Sequence, residues 1–306
     1  MPETRNLIIL GSGPAGLTAG LYAARADLKP LILGGSKPYG QLMLTTDVEN
    51  YPGFPEGIQG PELMDKFSKQ AVKFGAEIIL EDVMEVNFKK SPFTVKTASN
   101  SYLSKAVIVA TGADTNWLGL ESEQRLIGRG VSSCAPCDAY FFRDKKVIVV
   151  GGGDSAMEEA LTLSKFATKV TVIHRREEFR ASKIMLDRAK NNSKINFLTN
   201  TVVEEVLGKD KVEGVNLKNV VTGKIEKFGC DGVFVAIGHS PNTIIFENQL
   251  DLDEKRYLKV KGHTLTNIEG VFAAGDVHDH HYRQAITAAA FGCMAAMDSE
   301  KWLESR

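Results

Sequence analysis

Asn6-Leu-Ile-Ile-Leu-Gly-Ser-Gly-Pro-Ala-Gly16 returns in altered form as Lys146-Val-Ile-Val-Val-Gly-Gly-Gly-Asp-Ser-Ala156. Each is a short apolar run that ends in a glycine cluster and passes into a helical pattern. Such a run predicts a buried strand, and the glycines allow a tight turn. They also let a pyrophosphate approach the free N–H groups at the helix start. A lone glycine fingerprint is a weak signal. Two copies, each between a strand and a helix, carry much more.

Further strands repeat around the two copies. Leu28–Leu33 follows the first and Lys169–Ile173 the second. Val107-Ile-Val-Ala-Thr-Gly112 then resembles Val233-Phe-Val-Ala-Ile-Gly238. Strands alternating with helical patterns predict βαβ units and a parallel sheet. The expected fold is α/β, with two Rossmann-like dinucleotide-binding domains.

A third strand-like segment, Gly270-Val-Phe-Ala-Ala-Gly-Asp276, has no cradle of its own. It is expected to complete the first domain, with the second inserted between. That places one domain at 1–113 and 242–306 and the inserted one at 114–241. The crossings Gly112–Leu120 and Gly238–Thr243 are rich in turn formers, and two short linkers predict domains that pivot. Helices are expected over Pro55–Lys73 and from Arg283 to Leu303.

Composition narrows the function. The 43% apolar content supports a proper core, and 37 Lys and Arg against 38 Asp and Glu leave no global field for nucleic acid or anionic membrane. No apolar run reaches the roughly 18 residues of a membrane span. Asn6–Leu10 runs straight into the fingerprint and so reads as a strand, not a signal peptide. Four cysteines in 306 residues do not make a disulfide scaffold. A reducing, cytoplasmic setting is expected.

His174-Arg175-Arg176, with Arg180 one turn on, closes the second strand of the inserted domain. An acid there binds the ribose 2′-hydroxyl of NAD, whereas arginines accept a 2′-phosphate. NADPH is the expected ligand. In the first domain Leu33-Gly34-Gly35 offers no such acid, which favours another dinucleotide such as FAD. Asp276 reads equally as a ribose ligand or as a loop cap.

Cys134-Ala-Pro-Cys137, followed by Asp138, has three readings. A zinc half-site needs a second pair, but Cys230 and Cys293 are single and read as ordinary buried thiols. A structural disulfide would close too short a loop to contribute much. A redox pair needs nothing more, and spacing and compartment favour it. Asp138 reads as a proton donor to a departing thiolate or as a solvated loop acid. Asp276-Val-His278-Asp-His280-His281 has neither helical nor strand spacing for metal ligands, and no metal is expected.

These stretches, with Gly40-Gln-Leu42, Val48-Glu-Asn-Tyr-Pro-Gly53, Ala236-Ile-Gly-His-Ser-Pro-Asn242 and Tyr282-Arg-Gln-Ala285, resemble the bacterial-type, low-molecular-weight NADPH-dependent thioredoxin reductases over essentially the whole chain. The resemblance implies FAD in the first domain, NADPH in the inserted one, thioredoxin as partner and a homodimer. It puts Gly11, Ser12, Gly13, Pro14, Ala15 and Gly16 on the FAD pyrophosphate. Gly34, Gly35, Gly40, Gln41, Asn50, Ala110, Thr111, Gly112 and Gly275 join that site. Asp276 would take the ribityl chain, and Arg283, Gln284 and Ala285 the isoalloxazine edge. NADPH would meet Gly153, Asp154, Ser155, Ala156, His174, Arg175, Arg176, Arg180, Ile237 and Gly238. Cys137 would face the flavin, Cys134 would attack the thioredoxin disulfide, and Asp138 would protonate the departing thiolate.

Pro136 departs from the family, which commonly has threonine there. Because dithiol and NADPH site ride on one inserted domain and both must reach the flavin, that domain is expected to rotate between two states. A related flavoenzyme acting on a small disulfide, or fed by ferredoxin, is the alternative. The arginines argue against the ferredoxin version.

Overall fold

The computed structural model describes residues 4–306. They divide into two compact units, residues 4–114 with Ser240–Arg306, and Thr115–His239.

In the first unit five strands run parallel, in the order Glu77–Ile79, Leu31–Leu33, Thr4–Leu10, Ser101–Val109 and Val271–Ala273. Ser101–Val109 is long enough to serve two partners along one edge. Its first half pairs antiparallel with Phe93–Thr97, and its second half takes Val271–Ala273. The third strand-like segment thus joins the first sheet, in register Val271 to Val107.

The second unit repeats the plan. Its parallel strands run Ile195–Leu198, Lys169–Ile173, Lys146–Val150, Gly232–Val235 and Val131–Ser132. The fifth position is filled here by a strand that precedes the fingerprint. A three-stranded antiparallel meander, Thr201–Leu207, Gly214–Asn219 and Ile225–Phe228, follows the strand Ile195–Leu198 in the chain. The first unit has its counterpart in Val83–Asn87 and Phe93–Thr97 leading into Ser101–Val109.

The central strands are apolar because both faces are covered, by α-helices on one side and by the antiparallel strands and loops on the other. Leu7, Ile8, Ile9 and Leu10 are fully buried, as are Ile148 and Val149. Burial of each such side chain contributes about 1.5–3 kcal/mol before entropy is counted.

Element ends differ from expectation where local chemistry intervenes. The strand expected over Leu28–Leu33 begins at Leu31, since Lys29 has φ of +49° and Pro30 lacks an N–H. The helix expected from Pro55 runs Gly60–Lys73 with a proline in its first turn. The last helix, Ala285–Glu304, starts after Arg283, whose φ is +50°. Gln284 is its N-cap and forms a capping box with Thr287. Cys230 is buried, but Cys293 is only half-buried, contrary to the expectation for both. It lies on the exposed side of the last helix, beside Met297.

Candidate functional site

In the first unit the cradle is built by close backbone approach. A Cβ on Gly11 would stand 2.3 Å from the Ala110 carbonyl oxygen, and one on Gly151 would stand 2.3 Å from that of Ala236. The two cradles are therefore closed by the same device, a glycine turn laid against the end of the neighbouring strand. Ser12, buried, donates to the Gly34 carbonyl at 2.9 Å and accepts the Tyr39 N–H at 2.9 Å. It is structural mortar that holds Gly34 beside the fingerprint. Space around Gly13 is open for 4 Å, on the side a phosphate would occupy.

Gly275 brings a second element to this cradle, because a Cβ there would lie 2.8 Å from the Cβ of Ala15. Asp276 follows at once. Its Oδ1 is buried and has no hydrogen-bond partner. Burial, with the Asp279 carboxylate a lesser cause, pushes the Asp276 carboxyl up to about 7.

Loop capping belongs to Asp279, a residue the sequence did not single out. Its Oδ1 accepts the N–H groups of His281 and Tyr282, each at 3.0 Å, and its Oδ2 accepts that of Arg283 at 3.4 Å. Of the two readings of Asp276, the loop cap thus gives way. Asn50 donates to Gln284 Oε1 at 3.3 Å, and Gln41 donates to Asp114 at 2.9 Å. Asn50, Gln284 and Arg283 are thereby brought together.

The residues present fit a dinucleotide. An orphaned, desolvated carboxyl beside an open glycine turn is what a ribityl or ribose hydroxyl would satisfy.

In the second unit the arginine loop folds back over the fingerprint. Arg180 and Ala181 donate their N–H groups to the Gly152 carbonyl at 2.7 and 3.1 Å. Ser182 donates to Asp154 at 2.6 Å. His174, expected among the phosphate contacts, is instead buried, stacked on Phe179 with centroids 5.0 Å apart. Its Nε2 meets the Glu178 carbonyl at 3.1 Å. Burial holds its imidazole below the ordinary histidine range. His174 supports the loop from beneath, while Arg175, Arg176 and Arg180 are exposed above it. Gly153 is open for 4 Å, like Gly13.

Cys134 and Cys137 form a disulfide with Cα atoms 5.3 Å apart. The short helix Ala135–Asp138 carries them after the edge strand Val131–Ser132. Ser132 Oγ accepts the Cys134 N–H at 3.0 Å. Burial holds the Asp138 carboxyl above the usual carboxylate range, against a hydrogen bond with Ser132 that lowers it. An acid so placed keeps its proton to higher pH than a solvated aspartate would. Glu159, on the helix Asp154–Leu163, accepts the Ala135 N–H. Ser132 and Glu159 escaped sequence reading, since only tertiary packing brings them to the cysteines.

A disulfide followed by a desolvated acid, together with two glycine cradles, suits a nucleotide-linked disulfide enzyme. The model of the pyridine nucleotide-disulphide oxidoreductases matches residues 5–292. The chain belongs to that family. Its disulfide is the redox centre, and the family works with a flavin and a pyridine nucleotide.

Within this family the chain is 55% identical to thioredoxin reductase of Mycolicibacterium smegmatis over 299 residues, covering 97% of this chain and 96% of the relative. Thioredoxin reductase of Streptococcus pyogenes matches in structure with a TM-score of 0.96 at 43% identity, covering 100% of both chains. That of Lactococcus lactis, described as an FR conformation, gives 0.66 at 38% identity, covering 99% of this chain and 100% of the other. Among the described residues no group of three or more His, Cys, Asp or Glu is placed to hold a metal ion. No described helix is long and apolar enough to cross a membrane.

Proposed function

We propose that the chain is an NADPH-dependent reductase of the thioredoxin disulfide. One observation carries the reading: a disulfide followed by a desolvated acid lies in the same unit as a cradle framed by Arg175, Arg176 and Arg180. The high identity to thioredoxin reductases supports it. Gly11–Gly16, Gln41, Asn50, Asp276 and Arg283–Ala285 would hold FAD in the first unit, where it would supply a two-electron carrier between nucleotide and disulfide.

The dithiol then works by exchange. The Cys134 thiolate attacks the substrate disulfide and forms a mixed disulfide. The departing substrate thiolate takes a proton from Asp138. Cys137 attacks the Cys134 sulfur, restores the Cys134–Cys137 bond and releases the second substrate thiolate. The substrate gains two electrons, and the dithiol loses them. Tyr140 and Phe141, 59% and 36% exposed, lie just beyond Cys137 and offer apolar surface to a protein substrate. That favours thioredoxin over a small disulfide.

The guanidinium groups of Arg175, Arg176 and Arg180 bind the 2′-phosphate. The unit Thr115–His239 turns on its two crossings so that cradle and dithiol serve one flavin alternately. The unequal likeness to two solved relatives of similar identity supports such a motion in the family. The enzyme acts as a homodimer in the cytoplasm.

The test is anaerobic. NADPH should bleach the yellow protein, and oxidised thioredoxin should restore the colour only when both cysteines are present. Recolouring in a Cys134→Ser, Cys137→Ser protein would overturn the reading.

A further inference from the structure

The turn that carries the dithiol leaves no backbone donor for a thiolate. Cys134 donates its N–H to Ser132 Oγ, and Ala135 donates its own to Glu159 Oε2 at 2.5 Å. Pro136 has no N–H. Cys137 and Asp138 both donate to the Cys134 carbonyl, at 3.2 and 3.1 Å. Reactive cysteines of CxxC turns commonly owe a low pKa to free N–H groups at a helix start. Here every such group is engaged or missing.

Glu159 also adds charge. Given the bond lengths of a peptide unit, its Oε2 lies within about 5 Å of Cys134 Cα. The titratable groups facing the turn are Asp138 on the turn itself and Glu159 on the packed helix Asp154–Leu163. Burial favours the neutral form of Asp138, so the carboxylate charge set against a thiolate is that of Glu159.

We propose that Glu159 is a positioning residue that fixes the dithiol turn through Ala135 and disfavours the thiolate of Cys134. Together with Pro136 it keeps the pair strongly reducing, since a stabilised thiolate makes a dithiol an oxidant. Glu159 stands on the helix that opens from the second glycine cradle, so one helix serves both the nucleotide and the dithiol. The inference rests on Cys134 being the attacking thiol.

The test uses reduced holoenzyme under nitrogen, alkylated with iodoacetamide across a pH series, with the adduct located by mass spectrometry. Glu159→Gln keeps an acceptor for Ala135 and removes the charge. The midpoint of Cys134 alkylation should fall by roughly half to one pH unit, giving about three- to tenfold more thiolate below both midpoints. The dithiol–disulfide equilibrium against glutathione, measured above the midpoint, should move toward the dithiol by a similar factor. A purely structural role would change the melting temperature and leave the pH midpoint in place. That result would overturn the proposal. Should Glu159→Gln not fold, Glu159→Asp withdraws the charge by one methylene, and a smaller fall is expected; no movement contradicts the proposal. Alkylation of Cys137 in place of Cys134 would instead overturn the assignment of the attacking thiol.

Discussion

The backbone N–H of Arg180 donates to the Gly152 carbonyl at 2.7 Å, so the arginine loop is tied directly to the glycine cradle. In the proposed function, nucleotide binding and 2′-phosphate recognition are therefore one mechanical unit. Replacing Arg175 and Arg176 together by alanine leaves this tie intact and removes two guanidinium groups. Each charge-assisted contact contributes about 1.5–3 kcal/mol, so kcat/KM for NADPH should fall by roughly 10²–10⁴-fold. The same ratio for NADH should barely change. Steady-state kinetics with both nucleotides check this.

Gly152 has a second role that a single substitution exposes. A Cβ there would meet His174 Cε1 at 2.2 Å and Nδ1 at 2.3 Å. The ring is buried and stacked on Phe179, which opposes its retreat. Gly152→Ala should destabilise by about 1–3 kcal/mol and weaken NADPH binding, because overpacking moves the loop. Adding His174→Ala should return part of the lost stability. Thermal melts of the four proteins of this cycle measure the coupling.

Asp138 sets a pH dependence. Its carboxyl is held above the usual range by burial, so the protonated donor persists to higher pH and is lost as pH rises through that raised value. Thioredoxin reduction by the reduced enzyme should slow along the same limb. Asp138→Asn should lower the exchange rate by roughly 10²-fold and abolish that limb. Stopped-flow traces over a pH series decide it.

Asp276 makes a prediction for the protein stripped of cofactor. Its folded value of about 7 lies above the unfolded value of 3.8. A raised carboxyl contributes stability that is fully present at low pH and is lost as pH rises through the folded value. His278, lowered to about 4 mainly by burial, acts in the opposite sense, its contribution being lost as pH falls. The difference between wild type and Asp276→Asn isolates the first effect. Wild-type apoprotein should lose several degrees of melting temperature relative to the variant between about pH 4 and pH 7. Restoring FAD should shrink the difference.

The parallel strands around each cradle were legible because buried parallel strands are continuous apolar runs, as in Asn6–Leu10 and Lys146–Val150. Val271–Ala273 was legible as a stray third run. The antiparallel meanders were not: Val83–Asn87 and Ile225–Phe228 are short and largely exposed, so they carry little apolar periodicity. Asp276 showed through its place after an apolar strand. Asp279, Ser132 and Glu159 did not, because their partners are backbone N–H groups, which leave no mark in a sequence. His174 shared a basic run with exposed arginines, and only its burial against Phe179 separates it from them.

The most direct measurement traps the exchange itself. Cys137→Ser enzyme is mixed with oxidised thioredoxin, quenched in acid and digested for mass spectrometry. The expected product is a mixed disulfide joining Cys134 to a thioredoxin cysteine, absent from the Cys134→Ser enzyme. A thioredoxin adduct that forms without Cys134, or no adduct from a Cys137→Ser enzyme whose Cys134 is shown to be reduced, would contradict the account.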